Sequence, residues 1–237
     1  MASTFFGLHI GSSALSSFQV ATNTTANNIA NVKTTGYTRQ EATLQAKDAI
    51  NVTARYGSVG TGVTVTSIKQ QRDLYYDNKY WENNSCYGRY EQKLYYMNQI
   101  QNYFKDNGSS VKGFSSVFSQ MFSDLDTLRS KPSDKTVRNQ FISSAQSLCT
   151  YFNQMSDNLS KLQDDCNEEI RNNVDKINSI SEKISLLNKE INQIETGTGV
   201  EAGSLRDERA NLIDSLSKIV NVSLHCERIL SLIHISE

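Results

Sequence analysis

The densest set of chemically capable side chains is Asp164, Asp165, Glu168 and Glu169, carboxylates one turn apart in a helical stretch. Oxygen ligands at that spacing can hold a hard divalent cation. A charged run on a helix is far more often a solvated face, and that is the reading adopted here. His9, His225 and His234 are isolated, with no H-E-x-x-H, nucleophile elbow or Cys/His spacing around them. Cys86, Cys149, Cys166 and Cys226 never fall within a C-x-x-C, so isolated thiols are expected instead of a zinc site or disulfide framework. The glycine-rich stretch Gly57-Ser-Val-Gly60-Thr-Gly62 lacks the Lys-Ser/Thr ending of a phosphate loop and leads into a strand, so it reads as a turn. No catalytic, cofactor or metal site is expected, and function must be sought in surfaces.

Composition narrows those surfaces. Lys and Arg total 24 against 25 Asp and Glu, a net charge of -1, which gives no global field for nucleic acid or anionic lipid. Mean hydropathy is -0.49, and no apolar run approaches the roughly 18 residues of a membrane span. Met1 to Val32 has neither a basic n-region nor a continuous apolar h-region, so a cleaved secretory leader is not expected. Pro132 is the only proline among 237 residues, a composition that favours long uninterrupted helices.

The first 32 residues contain no Asp, Glu, Lys or Arg. Leu8, Leu15, Thr22 and Ile29 recur every seven positions, with Phe5, Ser12, Gln19 and Ala26 as a companion row. This predicts a helix to about Asn31 whose thin stripe is too poor to be stable alone, so residues 1–30 are expected to order only with partners. Gly36 ends the helix, and alternation around 39–47 and 61–69 predicts two short strands. An aromatic stripe through Tyr76, Tyr80, Tyr87, Tyr90, Leu94, Met97 and Phe104 predicts a helix from Leu74, packed in a core or against another subunit. Phe114 to Leu128 predicts another, broken at Ser130-Lys-Pro-Ser-Asp134.

A longer helical pattern runs from Lys135 to Ile194. Its stripe passes through Phe141, Ala145, Leu148, Phe152, Met155, Leu159, Leu162, Cys166, Ile170 and Val174, then continues after a stutter as two rows, Ile177-Ile184-Ile191 and Ile180-Leu187-Ile194. At 1.5 Å per residue this rod would be roughly 90 Å long. A further amphipathic helix is expected from Leu205 to Val220. The fold class is mainly α: an elongated antiparallel helical bundle or coiled coil with a small β-hairpin element after the N-terminal helix. Expected domains are an N-terminal assembly helix and turn at 1–38, the β element at 39–70, a long-helix bundle at 71–223 and an extraneous tail at 224–237.

Asn27-Asn-Ile-Ala-Asn31 followed by Thr35-Gly-Tyr-Thr-Arg-Gln40 resembles the signature shared by bacterial flagellar rod, hook and hook-associated proteins. Within that group, Gly36 to Gln40 is most similar to the hook-associated members at the hook–filament junction. Arg72-Asp-Leu-Tyr75 and Leu205-Arg-Asp-Glu-Arg209 add to the likeness, which covers residues 1–223.

The resemblance implies a structural, non-enzymatic component of the flagellum that acts by packing. It implies an assembly interface at Leu8, Leu15, Ala26, Asn27, Ile29, Asn31, Gly36, Tyr37 and Arg39, with the N-terminal helix paired to a helix from the protein's own C-terminus. Implied partners are hook protein, a second junction protein, copies of the chain in a ring, and the flagellar export apparatus with its chaperone. The implied location is extracellular, at the hook–filament junction, after export without a cleaved signal. Another axial rod or hook protein is the alternative; a helical-bundle enzyme or toxin is a distant one.

Overall fold

The computed structural model describes residues 5–51, 57–106, 113–226 and 231–236. Helix α1 spans Phe6–Ala30. Strand β1 (Gln40–Ala46), the short β2 (Ile50–Asn51) and β3 (Ser58–Val59), and β4 (Val63–Gln70) follow. Then come helices α2 (Leu74–Tyr103), α3 (Phe114–Ser130), α4 (Lys135–Thr198) and α5 (Gly203–Ser217). Strands β5 (Asn221–Cys226) and β6 (Ser231–Ser236) close the chain as an antiparallel pair, so β5 runs through the expected boundary at 223–224. The mainly helical class with a small hairpin after the first helix is what the pattern predicted.

Helix ends follow local chemistry. Asp73 precedes α2 and its carboxylate accepts the Tyr75 N–H at 2.9 Å, while Arg72 pairs with Asp77 at 2.5 Å. The Arg72-Asp-Leu-Tyr75 stretch is therefore an N-terminal cap. Asp134 plays the same part before α4, accepting the Thr136 N–H at 2.8 Å.

The chain forms two compact units, one from residues 1–86 and 177–237 and the other from 87–176. In the first, Trp81, Ile180, Ile184, Ile213, Leu216 and Val222 make the core. Trp81 is 1% exposed and its indole N–H donates to Asp214 Oδ1 at 2.7 Å, which satisfies the one donor that burial would otherwise strand. Asn84 donates to the Asp214 carbonyl at 3.0 Å and to Ser217 Oγ at 2.8 Å. Ile180, Ile184, Leu187 and Ile191 are buried as their heptad spacing required, whereas Ile194 is 40% exposed. Lys183, Lys189 and Glu190 are exposed.

In the second unit α2, α3 and α4 meet through Gln92, Tyr96 and Glu169, and through Phe114 against Tyr151 and Phe152. Two stripes are corrected here. On α4 the expected Leu148, Met155 and Leu162 do face inward, joined by Tyr151, whereas Phe152, Leu159, Ile170 and Val174 of the same stripe are exposed. The aromatic stripe of α2 is exposed at Tyr87, Tyr90, Leu94 and Met97, which overturns only the core alternative of its expected packing, while Gly88, Gln92 and Tyr96 face inward. The apolar arcs of these helices are wider than their own neighbours cover, so periodicity alone located the helix but not its inner face.

Candidate assembly interface

Helix α1 uses two faces differently. Both predicted heptad rows, Phe5-Ser12-Gln19-Ala26 and Leu8-Leu15-Thr22-Ile29, point outward, and Leu15 is 72% exposed. The inward face is Ser13, Ser17, Val20, Thr24 and Asn28, and it lies on β1 and β4. Ser17 Oγ donates to the Val63 carbonyl at 3.1 Å. Gly62 permits the close approach: it adopts φ +108, and a Cβ there would fall 2.2 Å from Ser13 Oγ. Residues 1–30 were expected to order only with partners, and in the described part α1 has one within the chain, the hairpin of β1 and β4. Docking relies on small side chains and hydrogen bonds, which a count of apolar residues does not register.

The residues Asn27 to Gln40 build a corner at the end of α1. Asn28 Nδ2 donates to the Gln40 carbonyl at 2.8 Å, and Asn28 Oδ1 accepts the Gln40 N–H at 2.9 Å. The Tyr37 hydroxyl donates to the same Oδ1 at 2.8 Å and accepts from Asn27 Nδ2 at 3.1 Å. Asn31 Nδ2 donates to the Asn27 carbonyl at 3.0 Å, and Asn31 Oδ1 accepts from Thr34 Oγ1 at 3.1 Å. Burial, with the Asp207 carboxylate adding to it, pushes the Tyr37 hydroxyl above its ordinary pKa and keeps it a donor.

This corner is tied to α5. Asp207 Oδ2 accepts the Thr38 N–H at 3.3 Å and Oδ1 accepts Gln70 Nε2 at 2.8 Å. The same Gln70 Nε2 donates to the Gly203 carbonyl at 2.9 Å, and the Gln70 N–H donates to Glu201 at 3.0 Å. Arg206 grips Glu195 through two bonds of 2.7 and 2.8 Å and Glu201 at 2.9 Å. The Arg206 hydrogen bonds, with the Ala202 N–H and the Arg206 and Arg209 charges, hold Glu195 below its ordinary pKa against an opposing effect of burial. Gly36, at φ +77, meets Asn211 so closely that no side chain fits between them.

The nine residues singled out by resemblance thus divide. Asn27, Asn31, Gly36 and Tyr37 come together in the corner, whereas Leu8, Leu15, Ala26, Ile29 and Arg39 are exposed. Ala21, Thr25, Ile29, Val32 and Arg39 line a groove of about 630 Å³ between α1 and the start of β1. Sequence reasoning missed Asn28, Gln70, Glu201 and Asp207, although Asn28 lies inside the Asn27–Gln40 signature and Asp207 inside the Leu205–Arg209 stretch. Of the acidic run, Asp164, Asp165 and Glu168 are exposed and Glu169 turns toward α2. Among the described residues no three His, Cys, Asp or Glu side chains gather as a metal site.

The family profile described as flagellar hook-associated protein FlgK helical domain matches residues 97–228. The chain belongs to the FlgK family of flagellar hook-associated proteins. A second profile, flagella basal body rod protein, matches residues 8–38, the α1 helix and its corner. The FlgK-family relative from Bacillus subtilis, flagellar hook-associated protein 1, is 33% identical over 94% of this chain and 45% of its own length. Its Salmonella typhimurium counterpart is 32% identical over 90% of this chain and 38% of its own length. The solved hook junction protein FlgK from Burkholderia pseudomallei aligns with a TM-score of 0.59 at 21% identity, covering 67% of this chain and 27% of that one. This last likeness concerns the fold. The chain spans less than half the length of the curated relatives it matches, and the FlgK helical-domain match runs to residue 228, beyond the Ser223 at which the likeness was expected to stop.

Proposed function

We propose that this chain is the N-terminal part of a structural subunit that joins hook to filament in the bacterial flagellum and supports filament assembly. The observation that carries this reading is the outward row of α1. Leu8, Leu15, Phe18 and Ile29 are exposed on a helix without a charged residue, while a hydrogen-bonded corner fixes that helix to its own hairpin. An exposed apolar row on an anchored helix is a surface for other chains, and an uncharged helix is suited to the interior of a packed tube. Partners proposed for it are a helix from the protein's own C-terminal part, neighbouring copies in a ring, hook protein beneath and a second junction protein above. Delivery by the flagellar export apparatus with a chaperone, to an extracellular position at the junction, belongs to the same proposal. Arg39, Ala26 and the groove beside Ile29 are the proposed edge of the interface.

The test is Leu15→Asp in the complete protein, assayed by motility and by microscopy of hooks. Filaments are expected to be lost, with hooks left bare and filament subunits shed into the medium, while the substituted protein is still exported. Normal filaments on Leu15→Asp cells would remove α1 from the interface.

A further inference from the structure

Leu148, Met155 and Leu162 form a seven-residue row on the inward side of α4, and the next position in that row is Glu169. A carboxylate has replaced the hydrophobe at the last place before the phase of α4 changes, since the following inward row is the half-buried Ile177 and the buried Ile184 and Ile191. Both its oxygens are engaged by one turn of α2. Gln92 Nε2 donates to Oε1 at 2.5 Å, and the Tyr96 hydroxyl donates to Oε2. The bond to Glu169 first, then burial and the carboxylate's charge, push the Tyr96 hydroxyl well above its ordinary pKa, so it stays protonated as a donor.

The neighbours of this pair make the arrangement specific. Moving α2 one turn along α4 in one direction would set Gly88 and Gln92 against Glu169, and in the other direction Tyr96 and Ile100. Gly88 has no side chain and Ile100 no donor, so each slipped alignment leaves one carboxylate oxygen unpaired in a half-buried site. Apolar side chains of α4 impose no such penalty, because a Leu or Met fills a slipped hole nearly as well as the right one. A buried polar group contributes little net stability, and its best-attested role is to set register.

We infer that Glu169 is a register pin: with Gln92 and Tyr96 it fixes a single axial alignment of α2 on α4 in the second unit. The pin thereby sets the offset between the outward rows Tyr90-Leu94-Met97 and Phe152-Leu159, whatever binds them. Glu169 is a positioning residue, and its effect is read as alignment.

Nitroxide labels on cysteines at the exposed Lys93 and Arg171, in the 237-residue chain with its four native cysteines replaced, report that alignment as a distance distribution. One narrow distance is expected for the parent and for Glu169→Gln, which keeps two polar atoms in place. Glu169→Leu is expected to add a second population displaced by about one turn, roughly 5.4 Å. A single, unshifted distance in Glu169→Leu would overturn the inference. Should that variant not fold, Gln92→Leu with Tyr96→Phe removes both donors and leaves the carboxylate, and an unshifted distance there would overturn it equally.

Discussion

Asn28 and Gln40 are joined by two hydrogen bonds of opposite sense, the Asn28 amide donating to the Gln40 carbonyl at 2.8 Å and accepting the Gln40 N–H at 2.9 Å. A side chain at the end of α1 thus pairs with the first residue of β1 much as a neighbouring strand would. Asn28→Ala leaves both backbone groups unpaired and frees the Tyr37 hydroxyl. It is expected to cost about 1 to 3 kcal/mol by denaturant titration of the chain. Asn28→Asp keeps the acceptor but turns a carboxylate oxygen on the Gln40 carbonyl, so it should be no better than Ala. A neutral Asn28→Ala would show that the corner does not hold α1.

Gly36 supports a separable test. Any side chain there suffers both the left-handed backbone at φ +77 and overlap with Asn211, whose Oδ1 would lie 1.8 Å from a new Cβ. The backbone part costs roughly 1 to 2 kcal/mol. Gly36→Ala is expected to exceed that, and adding Asn211→Ala should recover the excess but not the remainder. Additive losses in the double variant would mean that the two residues do not touch.

Acid should loosen the α4–α5 turn through Glu195. Its folded pKa is lowered, so its contribution is fully present above the ordinary glutamate value of 4.5 and is lost as pH falls through the lowered folded value. The difference in unfolding midpoint between the parent and Glu195→Gln should be constant from neutral pH down to that ordinary value and shrink below it. A difference that stays constant to the acid limit would dissociate Glu195 from Arg206.

How much of this was legible can be traced residue by residue. The burial of Ile180, Ile184, Leu187 and Ile191 was legible from the two clean heptad rows to which they belong. Breakers such as Gly36 and Pro132 announced helix ends. What periodicity does not encode is which arc of a broadly apolar helix faces its neighbours, and so Phe152 and Tyr90 turned out exposed. The assembly surface was half legible, since an uncharged helix is visible in composition, whereas the polar links are not. Asp207 meets Thr38 across 169 positions and Glu169 meets Tyr96 across 73, distances at which spacing carries no signal. Glu169 also sat inside an acidic run whose other members are solvated, which concealed it.

The heptad rows of α4 separate burial from mere periodicity. Leu187 is 8% exposed and Ile194 is 40% exposed, although both occupy the same seven-residue row. Truncating Leu187 to Ala removes buried methyl groups and leaves a space its neighbours only partly fill, a loss of about 2 to 5 kcal/mol. Ile194→Ala removes atoms already facing water and should cost clearly less, while a substitution at the exposed Lys189 should stay within about 0.5 kcal/mol. Urea midpoints with unchanged slopes across the three variants would make the comparison one of stability alone. Equal losses at Leu187 and Ile194 would mean that the row is covered along its whole length, and the end of α4 would then have to be packed by something other than α5.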